Sequence, residues 1–210
     1  MSQVEEGVLV VGLCGSLSEG SYTRRVVELA LEGAQQTGAR TQLIDLREYN
    51  LPFCDGRDEE GEYPADVFRL QRDVAQARGV ILGTPEYHGS FSGVLKNALD
   101  LMGFDQWEGK MVGLVGVSGG RMGANNALNG LRDICRALHA WVIPEQASVP
   151  QAWKEFDDDG AMTDEELAER VRAVGKQVAH FTCLHQLEGK LEFIRQWQSA
   201  PANPGGGKAE

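Results

Sequence analysis

Three short stretches hold the residue types that chemistry needs. The first, GSLSEGSYTR (15–24), offers the hydroxyls of Ser16, Ser18, Ser21, Tyr22 and Thr23 with free backbone at Gly15 and Gly20. A helix begins there, and the bare N–H groups and positive dipole of a helix start favour an anion, most often a phosphate. The second, PEYHG (85–89), lies inside GTPEYHGSFSGVLKNALD (83–100). Pro85 fixes the backbone, Tyr87 offers a ring face, and Gly89 lets main chain come close to a ligand. Main-chain N–H and C=O groups could edge-bond a planar heterocycle here. The third, VSGGRMGAN (117–125), has little side-chain bulk at Ser118, Gly119 and Gly120 and could accept a ring edge. Each stretch also has a plainer reading: a serine-rich helix cap, a turn with a packed tyrosine, a glycine turn.

The elements around these stretches decide between the readings. GVLVVGLCGS (7–16), RTQLIDL (40–46), RGVILGT (78–84) and KMVGLVGVSGG (110–120) are short apolar runs, as strands covered on both faces are. WVIP (141–144) is predicted as a fifth strand that Pro144 closes, followed by an irregular stretch to 162. Helical spacing covers 22–39, 65–77, 92–102 and 123–140. A long amphipathic helix follows Thr163, which makes a capping-box pattern with Glu166. Its stripe is Leu167, Val171, Val174, Val178, Phe181 and Leu184. Alternating strands and helices imply a three-layer α/β/α fold, a five-stranded parallel sheet of order 2-1-3-4-5. Such sheets bind ligands outside the carboxyl ends of their strands. All three stretches then share one edge and describe a mononucleotide pocket, with its phosphate at the first loop and its ring between the other two. The domain is predicted to span 1–198, with a mobile Pro/Gly-rich tail at 199–210.

Composition narrows the function. The 210 residues are 42% hydrophobic with a net charge of −11, a balance that argues against nucleic acid or an anionic membrane surface as partner. No apolar run approaches the roughly 20 residues of a membrane helix. The acidic start, MSQVEEG, lacks a secretion signal's basic region. Cys14, Cys54, Cys135 and Cys183 are far apart, without metal-ligand spacing. They read as reduced, mostly buried thiols of a cytoplasmic protein, with no metal site. Asp45 ends the second strand where a dinucleotide fold keeps its ribose acid, but the first loop lacks the G-x-G-x-x-G pattern. The four tryptophans are scattered and read as core or interface residues.

The sequence resembles the NADPH-dependent FMN reductase family, the flavodoxin-like group of chromate, quinone and azo-dye reductases, over roughly 8–145. PEYHGSFSGVLKNALD is similar to that family's PEYNGSIPGVLKNALDW pattern, and GSLSEGSYTR to its GSxRxxSxNR loop. The resemblance implies a non-covalent FMN. Ser16, Ser18, Ser21, Tyr22 and Thr23 would take the phosphate. Pro85, Glu86, Tyr87, His88 and Gly89 would line the isoalloxazine, and Ser118, Gly119 and Gly120 would border its far side. It implies ping-pong transfer of hydride from NADPH or NADH to flavin N5, then of electrons to a small-molecule acceptor. That acceptor could be a quinone, free flavin, metal oxyanion or azo compound. No protein nucleophile is needed, and His88 is the candidate for proton delivery. A homodimer or homotetramer is implied, with 92–102 and the loop after the second strand as contact elements. A flavodoxin-like electron carrier without nicotinamide activity, and a flavin-free interaction module, stay open beside the enzyme.

Overall fold

The computed structural model describes residues 7–57 and 63–188. The predicted tail at 199–210 lies outside them. Five parallel strands, β1 (Leu9–Cys14), β2 (Arg40–Asp45), β3 (Gly79–Pro85), β4 (Met111–Val117) and β5 (Trp141–Val149), form one sheet of order β2-β1-β3-β4-β5. The order and the parallel pairing are as the sequence predicts.

Helices cover both faces. α1 (Tyr22–Gln36) and α6 (Glu165–Glu188) pack on one side, with Val10, Ile81 and Val115 of the strands turned to Val27, Ala30, Val174 and Val178. On the other side are α2 (Ala65–Ala75), α3 (Gly93–Asp100), the four-residue α4 (Phe104–Trp107) and α5 (Asn125–Ala137). There Val11, Leu82 and Leu114 meet Leu70, Leu95, Trp107 and Leu131. Neighbouring residues such as Val10 and Val11 thus feed opposite cores, which is why the strands read as unbroken apolar runs.

α1 and α6 touch backbone to backbone. A Cβ on Gly175 would stand 1.7 Å from the Ala30 carbonyl oxygen, and one on Gly33 would stand 2.0 Å from that of Arg172. Only glycine permits this approach.

Four expectations need correction. β5 does not end at Pro144 but continues to Val149. It is an edge strand, and the register slips between Val112 and Leu114 of β4, so 143–145 bulge past one residue of the partner. A proline without an N–H fits such a bulge. Beyond it, 145–162 is not irregular: a 3-10 turn spans Ala152–Lys154 and Phe156 bridges to Met162. The start of α6 is capped by Asp164, whose Oδ1 accepts the Leu167 amide at 3.0 Å, while Thr163 instead donates to the Glu155 carbonyl. The buried stripe of α6 also stops at Ala179 and Thr182, leaving Phe181 and Leu184 half exposed. Among the described residues no helix is long and apolar enough to cross a membrane.

Candidate functional site

The strand register aligns the carboxyl ends. Cys14 pairs with Gly83, Pro85 with Val117, and Val117 with Val149. The loops that follow β1, β3, β4 and β5 therefore leave the sheet side by side. They enclose a cleft of about 250 Å³.

Its first wall is the β1–α1 loop. Ser21 caps α1, its Oγ accepting the Arg24 amide at 3.2 Å, and Ser16 Oγ accepts the Ser18 amide at 3.4 Å. Ser16, Ser18, Gly20, Ser21, Tyr22 and Thr23 all line the cleft. Ser16, Ser21 and Thr23 are buried at its base while Ser18 is exposed at the rim. Tyr22 leans on Phe156, with ring centroids 5.4 Å apart, and the Arg25 guanidinium lies beside both rings. Arg24 is held by Glu28 at 3.0 Å and Asp45 at 3.5 Å. Arg24 is thus paired with carboxylates and Arg25 rests on the Tyr22 and Phe156 rings, and the remaining anion-attracting groups here are hydroxyls and the helix start.

Asp45 is buried and bonded to Arg47 as well as Arg24. The Arg47 guanidinium holds its carboxyl below the usual range. Asp45 also accepts the Arg47 amide at 3.1 Å and caps the turn Leu46–Glu48, so it is a turn residue, not a free ribose ligand.

The second wall is the β3–α3 loop. Pro85, Glu86 and Tyr87 line the cleft, and Tyr87 is 57% exposed. Glu86 has a structural duty that its position in the sequence does not reveal. Its Oε2 accepts the Ala127 amide at 3.0 Å in the first turn of α5, tying the second loop to the third. His88 and Gly89 do not line the cleft. They form the two-residue turn of a small hairpin in which Tyr87 and Ser90 exchange backbone hydrogen bonds of 2.9 and 3.1 Å. His88 has φ 53° and Gly89 φ 77°, the paired left-handed conformations of a type I′ turn. Asparagine and histidine tolerate that region better than most residues, so either suits this place. Beneath the loop, Ser92 donates to the Gly15 carbonyl at 2.6 Å and Gly15 donates to the Gly83 carbonyl at 2.8 Å. These buried bonds fasten the first loop to the second.

The third wall is Val117, Ser118 and Gly119. Gly120 is not part of the lining; its amide donates to Ser118 Oγ at 2.9 Å and its carbonyl accepts from Gln151 at 3.0 Å. A fourth wall, Ala152 and Trp153, escapes the sequence reading. It sits in the segment read as irregular, where a single tryptophan gives no periodic signal. Of the other tryptophans, Trp107 is core and Trp141 is exposed at the start of β5. Cys14 and Cys135 are buried, but Cys54 and Cys183 are exposed, against the expectation of mostly buried thiols. Among the described residues no three His, Cys, Asp or Glu side chains are grouped as metal ligands.

A doubly wound sheet with a hydroxyl-lined helix start, a tyrosine and a glycine turn around one cleft defines a mononucleotide-binding α/β protein. The comparison with known proteins is narrower. The model of the NADPH-dependent FMN reductase family matches residues 8–154, and the chain belongs to that family. An NAD(P)H:quinone oxidoreductase of Solanum tuberosum is 34% identical over 193 residues, 88% of this chain and 97% of the relative. An FMN-dependent NADPH-azoreductase of Staphylococcus aureus is 31% identical over 181 residues, 84% and 94% of the two chains. Among solved structures, FerB, a flavoenzyme NAD(P)H:(acceptor) oxidoreductase from Paracoccus denitrificans, superposes with a TM-score of 0.69. That match covers 85% of this chain and 98% of FerB at 24% identity, a likeness of fold.

Proposed function

We propose that this protein is an FMN-dependent NAD(P)H oxidoreductase that reduces small-molecule acceptors of the quinone or azo type. The observation that carries this is the cleft itself. Its hydroxyl wall, aromatic wall and glycine wall converge at the carboxyl edge of the sheet, inside the span that matches the family. The residues present fit the cofactor. Ser16, Ser21 and Thr23 sit at the base of the cleft by the start of α1, where hydroxyls and first-turn amides suit a phosphate. Tyr87 supplies a ring face, and the low Ser118–Gly119 turn leaves room for a flat ring beside it. FMN bound there would take hydride from a nicotinamide and pass electrons to the acceptor.

The chain's own work is binding, orientation and exclusion of water. No acid, base or nucleophile is required of it. His88 lies outside the cleft lining, and a turn role accounts for it without proton delivery. A cytoplasmic setting suits the four free cysteines. A homodimer or homotetramer suits the Pro52–Cys54 strap, which lies across α3 through the Asn97 side chain and leaves Phe53 85% exposed. Light scattering at micromolar concentration checks this, and a monomer would refute it.

The decisive test is anaerobic. FMN-loaded protein should lose its blue absorbance when NADPH or NADH is added and regain it with a quinone. Bound flavin that stays oxidised would mark an electron carrier instead. A protein that takes up no FMN would overturn the reading.

A further inference from the structure

Trp153 stands out at the mouth of the cleft. It is 57% exposed although it lines the cavity. The turn that carries it is pinned: Gln151 donates to the Gly120 carbonyl and Ala152 to the Ser118 carbonyl, each at 3.0 Å, and Lys154 donates back to Gln151 at 2.8 Å. A large flat side chain is therefore held in water, on a rigid support, beside a concave site. Core packing does not explain that, and ligand stacking does.

Lys154 adds a charge. Its Nζ lies 4.8 Å from the centre of the Trp153 ring. Among the described residues it makes no ion pair. The whole chain carries −11, which repels anions at long range, so a cation at the mouth of the cleft shifts the balance between anionic and neutral ligands. A ring over Trp153 would bring its substituents within reach of this ammonium.

We infer that Trp153 forms the acceptor-side wall of the cleft and that Lys154, beside it, selects flat aromatic acceptors bearing a sulfonate or carboxylate over neutral ones. This deepens the oxidoreductase reading and rests on it. Trp153 supplies the stacking face common to every acceptor, and Lys154 supplies the discrimination between them.

Binding of rings that cannot be reduced tests it apart from turnover. Naphthalene-2-sulfonate and 2-naphthalenemethanol are titrated by calorimetry into the FMN-loaded protein and its W153A, W153F and K154E variants. The parent should prefer the sulfonate by about fivefold, and K154E should abolish or invert that preference. W153A should weaken both probes about tenfold, with W153F recovering most of the loss. A sulfonate-to-alcohol ratio unmoved by K154E, or affinities unmoved by W153A, would overturn the inference. Flavin uptake and bleaching by NADPH are recorded first on the parent. Failure there sinks the oxidoreductase reading, whereas intact bleaching with flat affinities sinks this inference alone.

Discussion

Ser21 serves two masters, and the two can be separated by substitution. Its hydroxyl caps α1 and also faces the cleft. Removing it in S21A should cost about 1 kcal/mol of stability, the usual value of an N-cap. Aspartate is an equally good cap but carries a negative charge. S21D should therefore keep the melting temperature near that of the parent and still lose FMN affinity by more than about tenfold, through repulsion of the phosphate. Thermal melts and flavin fluorescence titrations read the two effects separately; parallel loss or parallel retention would remove Ser21 from the phosphate site. His88 offers the opposite contrast. If its place is owed to φ 53°, H88N should match the parent in kcat/KM across about pH 6 to 8. H88V should lower stability, because a β-branched residue strains the left-handed region. A pH profile that flattens in H88N would restore the imidazole as a proton donor.

The contact between α1 and α6 governs the cleft from a distance. A methyl on Gly175 would meet the Ala30 carbonyl at 1.7 Å, and neither partner is a side chain that can turn away. G175A must push the two helices apart, and α1 carries the hydroxyl wall. The expected result is a loss of about 3 kcal/mol in urea unfolding, with weaker FMN binding in the fraction that folds. Glu86 acts between elements in a gentler way. E86A should cost about 1 to 2 kcal/mol by uncapping α5. E86Q, whose amide oxygen still accepts from Ala127, should recover part of it. These couplings mark what the sequence hides. The strands, their order and three cleft walls were legible, because buried parallel strands announce themselves as apolar runs and helix starts as serine clusters. Both faces of β5 are less buried, and its bulge at Pro144 mimics a stop. α4 is four residues long, too short for any period to register. Trp153 reaches the cleft only because tertiary hydrogen bonds fold 151–154 onto the third loop. Glu86 was legible as a cleft residue and illegible as a cap, since its partner lies 41 positions away.

At the scale of the whole molecule, one buried cation sets a pH dependence that has nothing to do with the cleft. Lys110 precedes β4 and is 4% exposed, its ammonium donating to the carbonyls of Ala75 and Ala77 at the end of α2. Burial, reinforced by the nearby Arg78, pulls its pKa down from 10.5 to about 8. In the unfolded chain the lysine binds its proton up to the ordinary value. Between about 8 and 10.5 the unfolded state therefore holds more protons than the folded one, and stability rises with pH across that window. Below the lower value both states are protonated, and the full cost of the buried charge persists. The rise attributable to Lys110 should approach about 3 kcal/mol, since each pKa unit is worth about 1.4 kcal/mol. K110M is expected to be less stable overall at high pH, where it lacks the two hydrogen bonds, yet to lose that upward slope. Urea unfolding of the parent and K110M at intervals from about pH 7.5 to 10 measures the difference in slope directly. Parallel curves for the two proteins would mean that the carbonyls of α2 solvate the ammonium as well as water does.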